Sequence, residues 1–315
     1  MSEWRPWIKL GRVLAPGSSR DWLARWAGAS CAVPLDASRF RVYITGRDVA
    51  GRSRIGTAIL SPGDAKLSEI SDTPIIPLGE RGTFDENGTS YPHAVWFRGR
   101  LHLYYLGWIR GVHVPWYNGL GLAVSDDGLD FRKVSKAPVF ERDEDDYLGV
   151  GSAFVAEEGG RLKMWYSRFE RWGQHEGDQK HYYNIKYAES PDGLAWQRDK
   201  AICIDFGDAG TEYAIAKPSV LKLAGKYCMW YSHRGAAYRI GFAVSDDGRR
   251  WRRRDELVGI GCSPEGWDSE MICYAHVFEA GDQLYMLYNG NDYGAGGLGL
   301  AATSKAQFAE MIVSL

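Results

Sequence analysis

Four carboxylates stand in segments that precede predicted strands, and they are the candidates for catalysis. Asp85 lies in "RGTFDENGTSYPH", Glu212 in "GTEYAIAKP", and Asp268 and Glu270 lie in "EGWDSEMICYAH". Two carboxyl groups opposed across a polar pocket can act as general acid and general base on a glycosidic bond. Glu212 and Glu270 each come just before an apolar strand, where burying an unused carboxylate is costly. We predict catalysis from this set, with turn capping as a nearly equal alternative for Asp85 and Asp268.

Cationic, aromatic and polar residues in neighbouring segments complete a predicted sugar site. Arginine and histidine can hydrogen-bond hydroxyls or an anionic group, and a tryptophan ring can stack on a sugar face. For Arg168 and Arg234, the alternative to ligand binding is an ion pair with an acid of a neighbouring repeat. The predicted substrate-binding residues are Arg47, Trp108, Arg168, His181, Tyr213, Lys217, His233, Arg234, Trp267 and Asn291.

Metal-ligand spacings are missing from the sequence. His93 and His276 fall within predicted strands, and we interpret them as hydrogen-bonded core residues rather than ligands. No HxH or HExxH pattern occurs. We therefore predict no transition-metal site and no cofactor, with a hard cation or an ordered water on the axis of the fold as the open alternative.

A repeated strand pattern positions these residues. The segments "RFRVYITGRD", "RLHLYYLGWI", "RLKMWYSRFE", "KYCMWYSHRG" and "QLYMLYNGND" alternate apolar and polar residues with period two, as strands do. They recur about every 60 residues. Each follows another apolar strand through a tight turn and precedes a third strand of the type "IGFA". A fourth, outer strand completes each repeat, which predicts a four-stranded antiparallel meander.

Five such meanders fill the chain. Five successive four-stranded sheets with almost no helical periodicity predict an all-β fold, a five-bladed β-propeller. We expect one domain over 1–315. The predicted blades span about 27–75, 85–135, 146–200, 212–257 and 268–315.

A Ser-x-Asp-Gly turn joins the third and fourth strands in three of the repeats. Its copies end at Gly128, Gly193 and Gly248. Glycine supplies a positive φ, and the Asp or Ser side chain caps local amides. Because a catalytic constellation is normally assembled once, we interpret this repeated turn as scaffold. Strand alternation places it at the face opposite to the candidate site.

Composition narrows the function classes. The net charge is −2 with both signs interspersed, so nothing favours nucleic acid as a partner. No apolar run has membrane-spanning length, and no membrane partner is predicted. The five cysteines show no CxxC spacing, which favours buried thiols in a cytoplasmic protein over disulfides or zinc knuckles. The predicted partner is a carbohydrate or a sugar-containing small molecule.

Several segments resemble a known enzyme clan. "KPSVLKLAGKYCMWYSHRG" and then "IGFAVSDDGRRW" resemble the blades of five-bladed propeller glycosidases. That clan holds glycoside hydrolase families 43, 32 and 68, with the family 130 phosphorylases nearby. "RFRVYITGRDVAGRSRIG" and "HYYNIKYAESPDG" look like bacterial glycosidase-like proteins often found with polysaccharide-assembly genes. The resemblance covers nearly the whole chain and implies a carbohydrate-active enzyme.

The catalytic pattern of the clan is matched only in part. Families 43 and 32 carry a carboxylate before the first inner strand and a glutamate in blade three. The nearest acids here are Asp21 in the first case and Asp145 and Asp146 in the second. Asp85 lies near the second-blade acid of those families. Arg47, Arg168 and Arg234 resemble the phosphate-binding ring of family 130.

Three hypotheses about function follow. The first is a glycoside hydrolase that uses paired carboxylates in a central funnel. The second is a phosphorylase or glycosyl-transferring enzyme, in which one acid suffices and an anion pocket replaces the base. The third is a non-catalytic glycan-binding propeller in polysaccharide biosynthesis.

Overall fold

The computed structural model describes residues 6–175, 177–207 and 210–315, and nearly all of its regular structure is β-strand. The predicted all-β class is confirmed. No helix in these three ranges is long and apolar enough to span a membrane. The strands are β1 (Ile8–Leu14), β2 (Trp26–Pro34), β3 (Phe40–Arg47), β4 (Ser53–Ser61), β5 (Lys66–Ser68), β6 (Gly88–Phe97), β7 (Arg100–Arg110), β8 (Trp116–Ser125), β9 (Arg132–Lys133), β10 (Val150–Glu158), β11 (Arg161–His175), β12 (Asp178–Ser190), β13 (Gln197–Ile204), β14 (Ala214–Leu223), β15 (Lys226–Arg234), β16 (Tyr238–Ser245), β17 (Arg252–Arg253), β18 (Cys273–Ala280), β19 (Gln283–Asn289) and β20 (Leu298–Ser304). The α-helix α1 spans Lys305–Val313, and short 3-10 turns lie at Asp21–Leu23, Pro62–Asp64, Asp255–Leu257 and Asp292–Gly294.

The strands form five successive antiparallel units of four. Units 1 to 4 are β2–β5, β6–β9, β10–β13 and β14–β17. Unit 5 is β18–β20 with β1, which pairs with β20 as the outer strand. The first strands of the units, β2, β6, β10, β14 and β18, contact one another in order, and β18 contacts β2. These inner strands therefore form a closed ring.

Unit 5 differs from the predicted range of 268–315. Its outer strand comes from the opposite end of the chain, at Ile8–Leu14, and residues Lys305–Val313 form α1 instead. The segment "KAQFAEMIV" is rich in helix-forming residues, and the Ser304 side chain accepts a hydrogen bond from Gln307 N at its start. Pairing the two ends of the chain in one sheet ties the first unit to the last.

Every inner strand carries a one-residue bulge at the same place. The register skips between Gly28 and Cys31 in β2, and the equivalent skip occurs in each of the other four inner strands. A bulge leaves one backbone N–H without a ladder partner. Side chains of the preceding unit accept these hydrogens: Ala29 N donates to Asn289 Oδ1 (2.8 Å), Tyr91 N to Thr45 Oγ1 (2.9 Å) and Tyr274 N to Ser232 Oγ (2.7 Å).

Asn289 makes the bulge contact that closes the ring, and its replacement by alanine is expected to destabilise the protein by about 1–3 kcal/mol. The side chain is fully buried, and its loss would leave the Ala29 N–H without an acceptor. Urea unfolding of N289A measures the free energy. The control is Asn87→Ala, because Asn87 accepts a single exposed hydrogen bond from Arg110 N. Equal losses in both variants would contradict a special role for the bulge contact.

The Ser-x-Asp-Gly turns are scaffold, as predicted. At the first copy, Ser125 Oγ accepts from Gly128 N, and Asp127 Oδ1 accepts from the next two amides. The other copies repeat these contacts. Each turn glycine also accepts a hydrogen bond from the second strand of the preceding unit: from Tyr43 Oη to Gly128 O, Tyr104 Oη to Gly193 O and Trp165 Nε1 to Gly248 O. The turns therefore fasten neighbouring units together.

Strand alternation places the candidate site at the other end of the units. Ser125 of the first turn pairs with Leu101, beside the turn between the first and second strands. At the opposite end, Ala214 pairs with Arg234, which pairs in turn with Tyr238. We call this the mouth end. Glu212 and Glu270, which precede inner strands, lie there, so the predicted separation of the two faces is confirmed.

Candidate functional site

Aromatic side chains from all five units fill the mouth end of the ring. Ring centroids of Tyr91 and Tyr274 are 5.2 Å apart, and those of Tyr238 and Tyr274 are 5.4 Å apart. Packed rings that keep their hydroxyls offer both stacking surfaces and hydrogen-bonding groups. We call this set the mouth cluster: Trp26, Tyr91, Phe169, Tyr183, Tyr213, Tyr238, Tyr274 and Tyr293.

Burial keeps four tyrosines of the mouth cluster in their neutral form, because it raises the pKa of Tyr91, Tyr183, Tyr238 and Tyr274. The hydroxyls of Tyr183 and Tyr238 form a hydrogen bond. Burial raises the pKa of Tyr91 to about 12, and burial likewise raises the pKa of Tyr274. A neutral hydroxyl can both donate and accept, which suits a ligand that is itself rich in hydroxyls.

Arg234 brings a positive charge into the mouth cluster. Its guanidinium carbon lies 5.4 Å from the ring centroids of Tyr213 and Tyr238 and 5.0 Å from that of Tyr293. It also donates a hydrogen bond to the Tyr293 hydroxyl. Within the described ranges it forms no ion pair with a carboxylate, and its buried Nε has no hydrogen-bond partner. The structure therefore does not show the predicted alternative, an ion pair of Arg234 with an acid of a neighbouring unit. The charge of Arg234 is available to a bound anion.

Two more predicted residues contact the mouth cluster. Arg47 is exposed and lies over the Trp26 ring, 5.8 Å from its centroid. His181 stacks on Tyr183 at 4.9 Å, and burial lowers the pKa of this imidazole to about 4. The structure thus brings together four of the predicted binding residues at the mouth cluster. They are the two arginines Arg47 and Arg234 and the two aromatic residues His181 and Tyr213.

Asp85 and Asp268 instead each make a set of contacts inside their own unit, and the same set recurs in three of the units. In three units, an aspartate before the inner strand accepts hydrogen bonds from a second-strand tyrosine and an outer-strand cation. These aspartates are at most 2% exposed. Because the arrangement repeats, it favours the structural alternative for both residues. The three sets are Asp85 with Tyr105 (3.0 Å) and Lys133 (2.6 Å), Asp146 with Tyr166 (2.7 Å) and Arg198 (2.8 Å), and Asp268 with Tyr288 (2.9 Å) and Lys9 (2.6 Å).

Glu212 is held in a cationic pocket of its own. Arg253 donates two hydrogen bonds to the carboxylate, at 2.8 and 2.9 Å, and His233 Nδ1 lies 2.8 Å from it. Burial opposes ionisation, but these hydrogen bonds hold the pKa of Glu212 well below its usual range. Such a carboxylate stays ionised and is a poor proton donor. Glu212 and His233 therefore bind each other and the outer strand.

Glu270 is the predicted carboxylate that stays available at the mouth end. Its side chain is exposed and forms no ion pair or hydrogen bond to any residue that the structure describes. Its backbone is fixed, because Glu270 N donates to Asn291 Oδ1 and Arg239 donates to its carbonyl, both at 2.8 Å. Arg239 also donates to the Tyr238 carbonyl, and Met271 packs against the mouth cluster. Glu270 thus lies at the rim, positioned by Asn291.

The remaining predicted binding residues are engaged in packing. The Trp108 indole donates to Ser53 Oγ at 2.6 Å. Trp267 stacks on Tyr288 and lies against the backbone at glycines of its own unit. Arg168 lies 3.5 Å from Asp146, an acid of its own unit. Lys217 is fully buried within its inner strand.

Several members of the mouth cluster were not predicted from sequence. Tyr91 and Tyr274 occupy the same bulge position of their inner strands and have positive φ. Period-two alternation treats both as ordinary core residues, because the bulge adds one residue to the count. Aligning the five inner strands would have placed the two tyrosines at one level of the ring.

Comparisons with known proteins identify relatives. No family model matches the sequence. Uncharacterized proteins from two strains of Mycobacterium tuberculosis are 39% identical over 296 residues, 94% of this chain and 98% of each relative. A 1,2-β-oligomannan phosphorylase of Thermoanaerobacter sp. (strain X514) is 25% identical over 210 residues, 66% of this chain and 65% of that protein.

Solved structures share the fold. A structure from the GH130 family of mannoside phosphorylases, described as containing glycoside hydrolases that target β-1,2 mannosidic linkages in Candida mannan, has a TM-score of 0.72 at 16% identity, covering 95% of this chain and 94% of that one. A thermostable family-43 glycoside hydrolase has a TM-score of 0.70 at 18% identity, covering 92% and 91%. The resemblance drawn from the blade motifs is confirmed at the level of fold. The chain therefore has the fold of the glycosidase clan and belongs to the same protein family as the two Mycobacterium tuberculosis proteins.

Proposed function

We propose that the protein is a five-bladed β-propeller and a carbohydrate-active enzyme whose sugar substrate binds at the mouth cluster. Five four-stranded units with a closed ring of inner strands support the blade number. Neutral tyrosine hydroxyls, the Trp26 ring and two arginines suit a ligand with many hydroxyls and an anionic group. The fold shared with glycosidases and the sequence similarity to an oligomannan phosphorylase support the same class.

The reaction best supported is transfer of a glycosyl group to phosphate. The observation that carries this choice is the charge distribution: Arg234 has no carboxylate partner in the described ranges, whereas cations bind Asp85, Glu212 and Asp268. Hydrolysis by paired carboxylates needs two free acids across one pocket. Transfer to phosphate needs one acid and an anion site, and Glu270 and Arg234 supply these.

In this reaction a phosphate oxygen attacks the anomeric carbon, and the bond from that carbon to the leaving sugar oxygen breaks. Glu270 in its protonated form gives its proton to the leaving oxygen, and its carboxylate then regains a proton from solvent, to which the side chain is exposed. Arg234 and Arg47 hold the phosphate, with the guanidinium fork of Arg234 matched to two phosphate oxygens. The hydroxyls and rings of the mouth cluster hold the sugar. In the reverse direction the same groups build the glycosidic bond from a sugar 1-phosphate.

Glycosidic cleavage is expected to depend on added phosphate and to release a sugar 1-phosphate. A panel of oligosaccharides that includes β-1,2-linked mannosides is incubated with and without phosphate, and the products are separated by anion-exchange chromatography. Glu270→Gln is expected to lower the rate by about 100-fold or more, because it cannot donate a proton. Glu265→Gln, another exposed acid of the same loop, is the control.

The products distinguish the rival functions. Free sugar released at a rate independent of phosphate would contradict phosphorolysis and support hydrolysis. Saturable glycan binding without turnover of any substrate, unchanged in E270Q, would support a non-catalytic glycan-binding propeller.

A further inference from the structure

Three metal-binding side chains occupy equivalent positions of consecutive inner strands. Cys31, His93 and His276 are each the first paired residue after the bulge in units 1, 2 and 5. Because β18, β2 and β6 are neighbours in the ring, the shared register brings these side chains to one level of its axis. One ligand atom from each residue, the Cys31 sulfur and one ring nitrogen of each histidine, lies within 4.8 Å of the other two. The three residues are 1%, 3% and 4% exposed.

Three of the four imidazole nitrogens in this axial triad have no hydrogen-bond partner among the described residues. His93 Nε2 lies 2.8 Å from the Val155 carbonyl, and its buried Nδ1 has no hydrogen-bond partner in the described ranges. The Ala32 carbonyl lies beside the His276 ring, yet neither ring nitrogen makes a hydrogen bond with it that satisfies normal geometry. A buried polar atom without a partner is costly, and native structures rarely keep one without a reason. A single cation bound between these residues would contact His93 Nδ1 and one of the two His276 nitrogens.

The geometry points to a zinc-type transition-metal site formed by Cys31, His93 and His276. One thiolate and two imidazoles are donors that Zn²⁺ prefers, whereas Ca²⁺ and Mg²⁺ require oxygen ligands. When Nε2–H of His93 donates to the Val155 carbonyl, Nδ1 carries the free lone pair, the usual arrangement of a metal-bound histidine. Cys31 Sγ accepts a hydrogen bond from Ala94 N at 3.3 Å. Burial nevertheless raises the pKa of the free thiol, so a bound metal ion would have to displace the thiol proton. Tetrahedral ligation would bring the ligand atoms to about 3.5 Å from one another, a small inward movement.

An axial cavity gives this site a fourth position and an entry path. The cavity of about 360 Å³ is lined by the three candidate ligands and by apolar side chains such as Phe154, and it reaches Glu279. It also reaches Pro34, next to the turn between the first two strands of unit 1, and so lies on the side away from the mouth cluster. A water molecule in it can complete four-coordination.

One neighbouring charge opposes a cation here. The Lys217 amine is buried close to Cys31, His93 and His276, and it interacts electrostatically with all three. Its one hydrogen bond within the described ranges is a long one, 3.4 Å to the Ser30 carbonyl. An ionised Cys31 would offset one positive charge, so the thiolate and the ammonium of Lys217 together would add no net charge to that of the metal ion.

Cobalt binding tests the site without relying on activity. Metal-free full-length protein, prepared by dialysis against a chelator, is titrated with Co²⁺ and followed by absorbance. The expected result is one equivalent bound, with a thiolate-to-cobalt charge-transfer band and the visible bands of a tetrahedral ion, all lost on addition of Zn²⁺. Wild-type protein without these bands would overturn the proposal, whatever the outcome for the proposed function.

Ligand variants separate the site from adventitious binding. Cys31→Ser is expected to abolish the charge-transfer band, and His276→Asn to weaken binding by at least about 100-fold. Cys228→Ser is the matched control, because Cys228 is equally buried but lies outside the triad. Circular dichroism confirms folding of each variant. Bands that persist in C31S, or disappear in C228S, would also overturn the assignment.

Discussion

Replacing Arg234 by methionine is expected to lower kcat/KM at least about 100-fold, the usual cost of losing one preorganised group that stabilises charge in a transition state. The proposed anion site depends on Arg234, because this side chain enters the mouth cluster without a carboxylate partner among the described residues. Initial rates at varied phosphate measure the effect. The apparent KM for phosphate is expected to rise more than the KM for the glycan, because the guanidinium is assigned to phosphate rather than to the sugar.

Two further variants make the Arg234 experiment specific. Arg234→Lys keeps the charge but not the planar fork, and it is expected to recover only part of the activity. Arg249→Met is the matched control: that arginine also lies over a tyrosine ring, 5.0 Å from the centroid of Tyr187, but at the opposite end of the units and paired with Glu189. R249M is expected to keep wild-type kcat. Loss of the tyrosine contacts costs R234M about 1–2 kcal/mol of stability, so the assays are made well below its Tm. Unchanged phosphate dependence in a folded R234M would refute the anion site.

The sequence predicts local structure well because local signals are strong. Alternating apolar residues fix the strands, and Ser-x-Asp-Gly fixes three turns whose side chains cap amides two or three residues away. Direction then follows by counting strands, which placed Glu212 and Glu270 at the end opposite to these turns. All of these inferences use contacts between residues that are near in sequence.

Long-range partners were not predictable in this way. Lys133 binds Asp85 from 48 residues away, and Lys9 binds Asp268 from 259 residues away. No local sequence pattern indicates that a cation of the outer strand will pair with an acid in the loop before the inner strand. The outer strand of unit 5 was misplaced for the same reason, since the choice between Ile8–Leu14 and the last residues depends on how the ring closes.

The residues of the candidate site also divide into those that local sequence signals predict and those that depend on long-range register. Arg47 and Arg234 were predicted because each ends a second strand at the mouth end, a position that strand counting defines. Tyr91 and Tyr274 were missed because one extra residue in each inner strand changes which side chains share a level. The same bulge aligns Cys31, His93 and His276, whose separate positions in the sequence show no metal-ligand spacing. Register, rather than residue type, was the missing information.

The repeated aspartates then explain why a chain with many acids offers few for catalysis. Each of Asp85, Asp146 and Asp268 neutralises a cation of the outer strand and accepts a tyrosine hydroxyl, so it joins three strands of one unit. An ionised carboxylate in such a contact is costly to replace, and the paired cation stabilises its ionised form, so it is a poor proton donor. Because the outer-strand cations already bind these aspartates, the aspartates are not the partners of Arg234 at the mouth end.

Asp146→Asn is accordingly expected to lower the free energy of unfolding by about 3–5 kcal/mol, the typical cost of breaking a buried ion pair from one side. Asp146 accepts hydrogen bonds from Tyr166 Oη (2.7 Å), Lys186 Nζ (2.8 Å) and Arg198 Nη1 (2.8 Å). An asparagine keeps the shape but leaves Lys186, which is 3% exposed, without its counter-charge. Urea unfolding at about pH 7 measures the loss of unfolding free energy. The control is E270Q at the exposed rim, for which the expected change is within about 0.5 kcal/mol.

The pH dependence of the same variant distinguishes charge from packing. Burial opposes ionisation of Asp146, but its hydrogen bonds from Lys186, Tyr166 and Arg198 outweigh it and lower the pKa of the carboxyl. A lowered folded-state pKa contributes stability that is present above the unfolded-state pKa and is lost as the pH falls through the folded-state value. The difference between wild type and D146N is therefore expected to shrink on acidification. A difference that stays constant over that range would mean that Asp146 acts through its shape, and the ionic account of the repeated contact would fail with it.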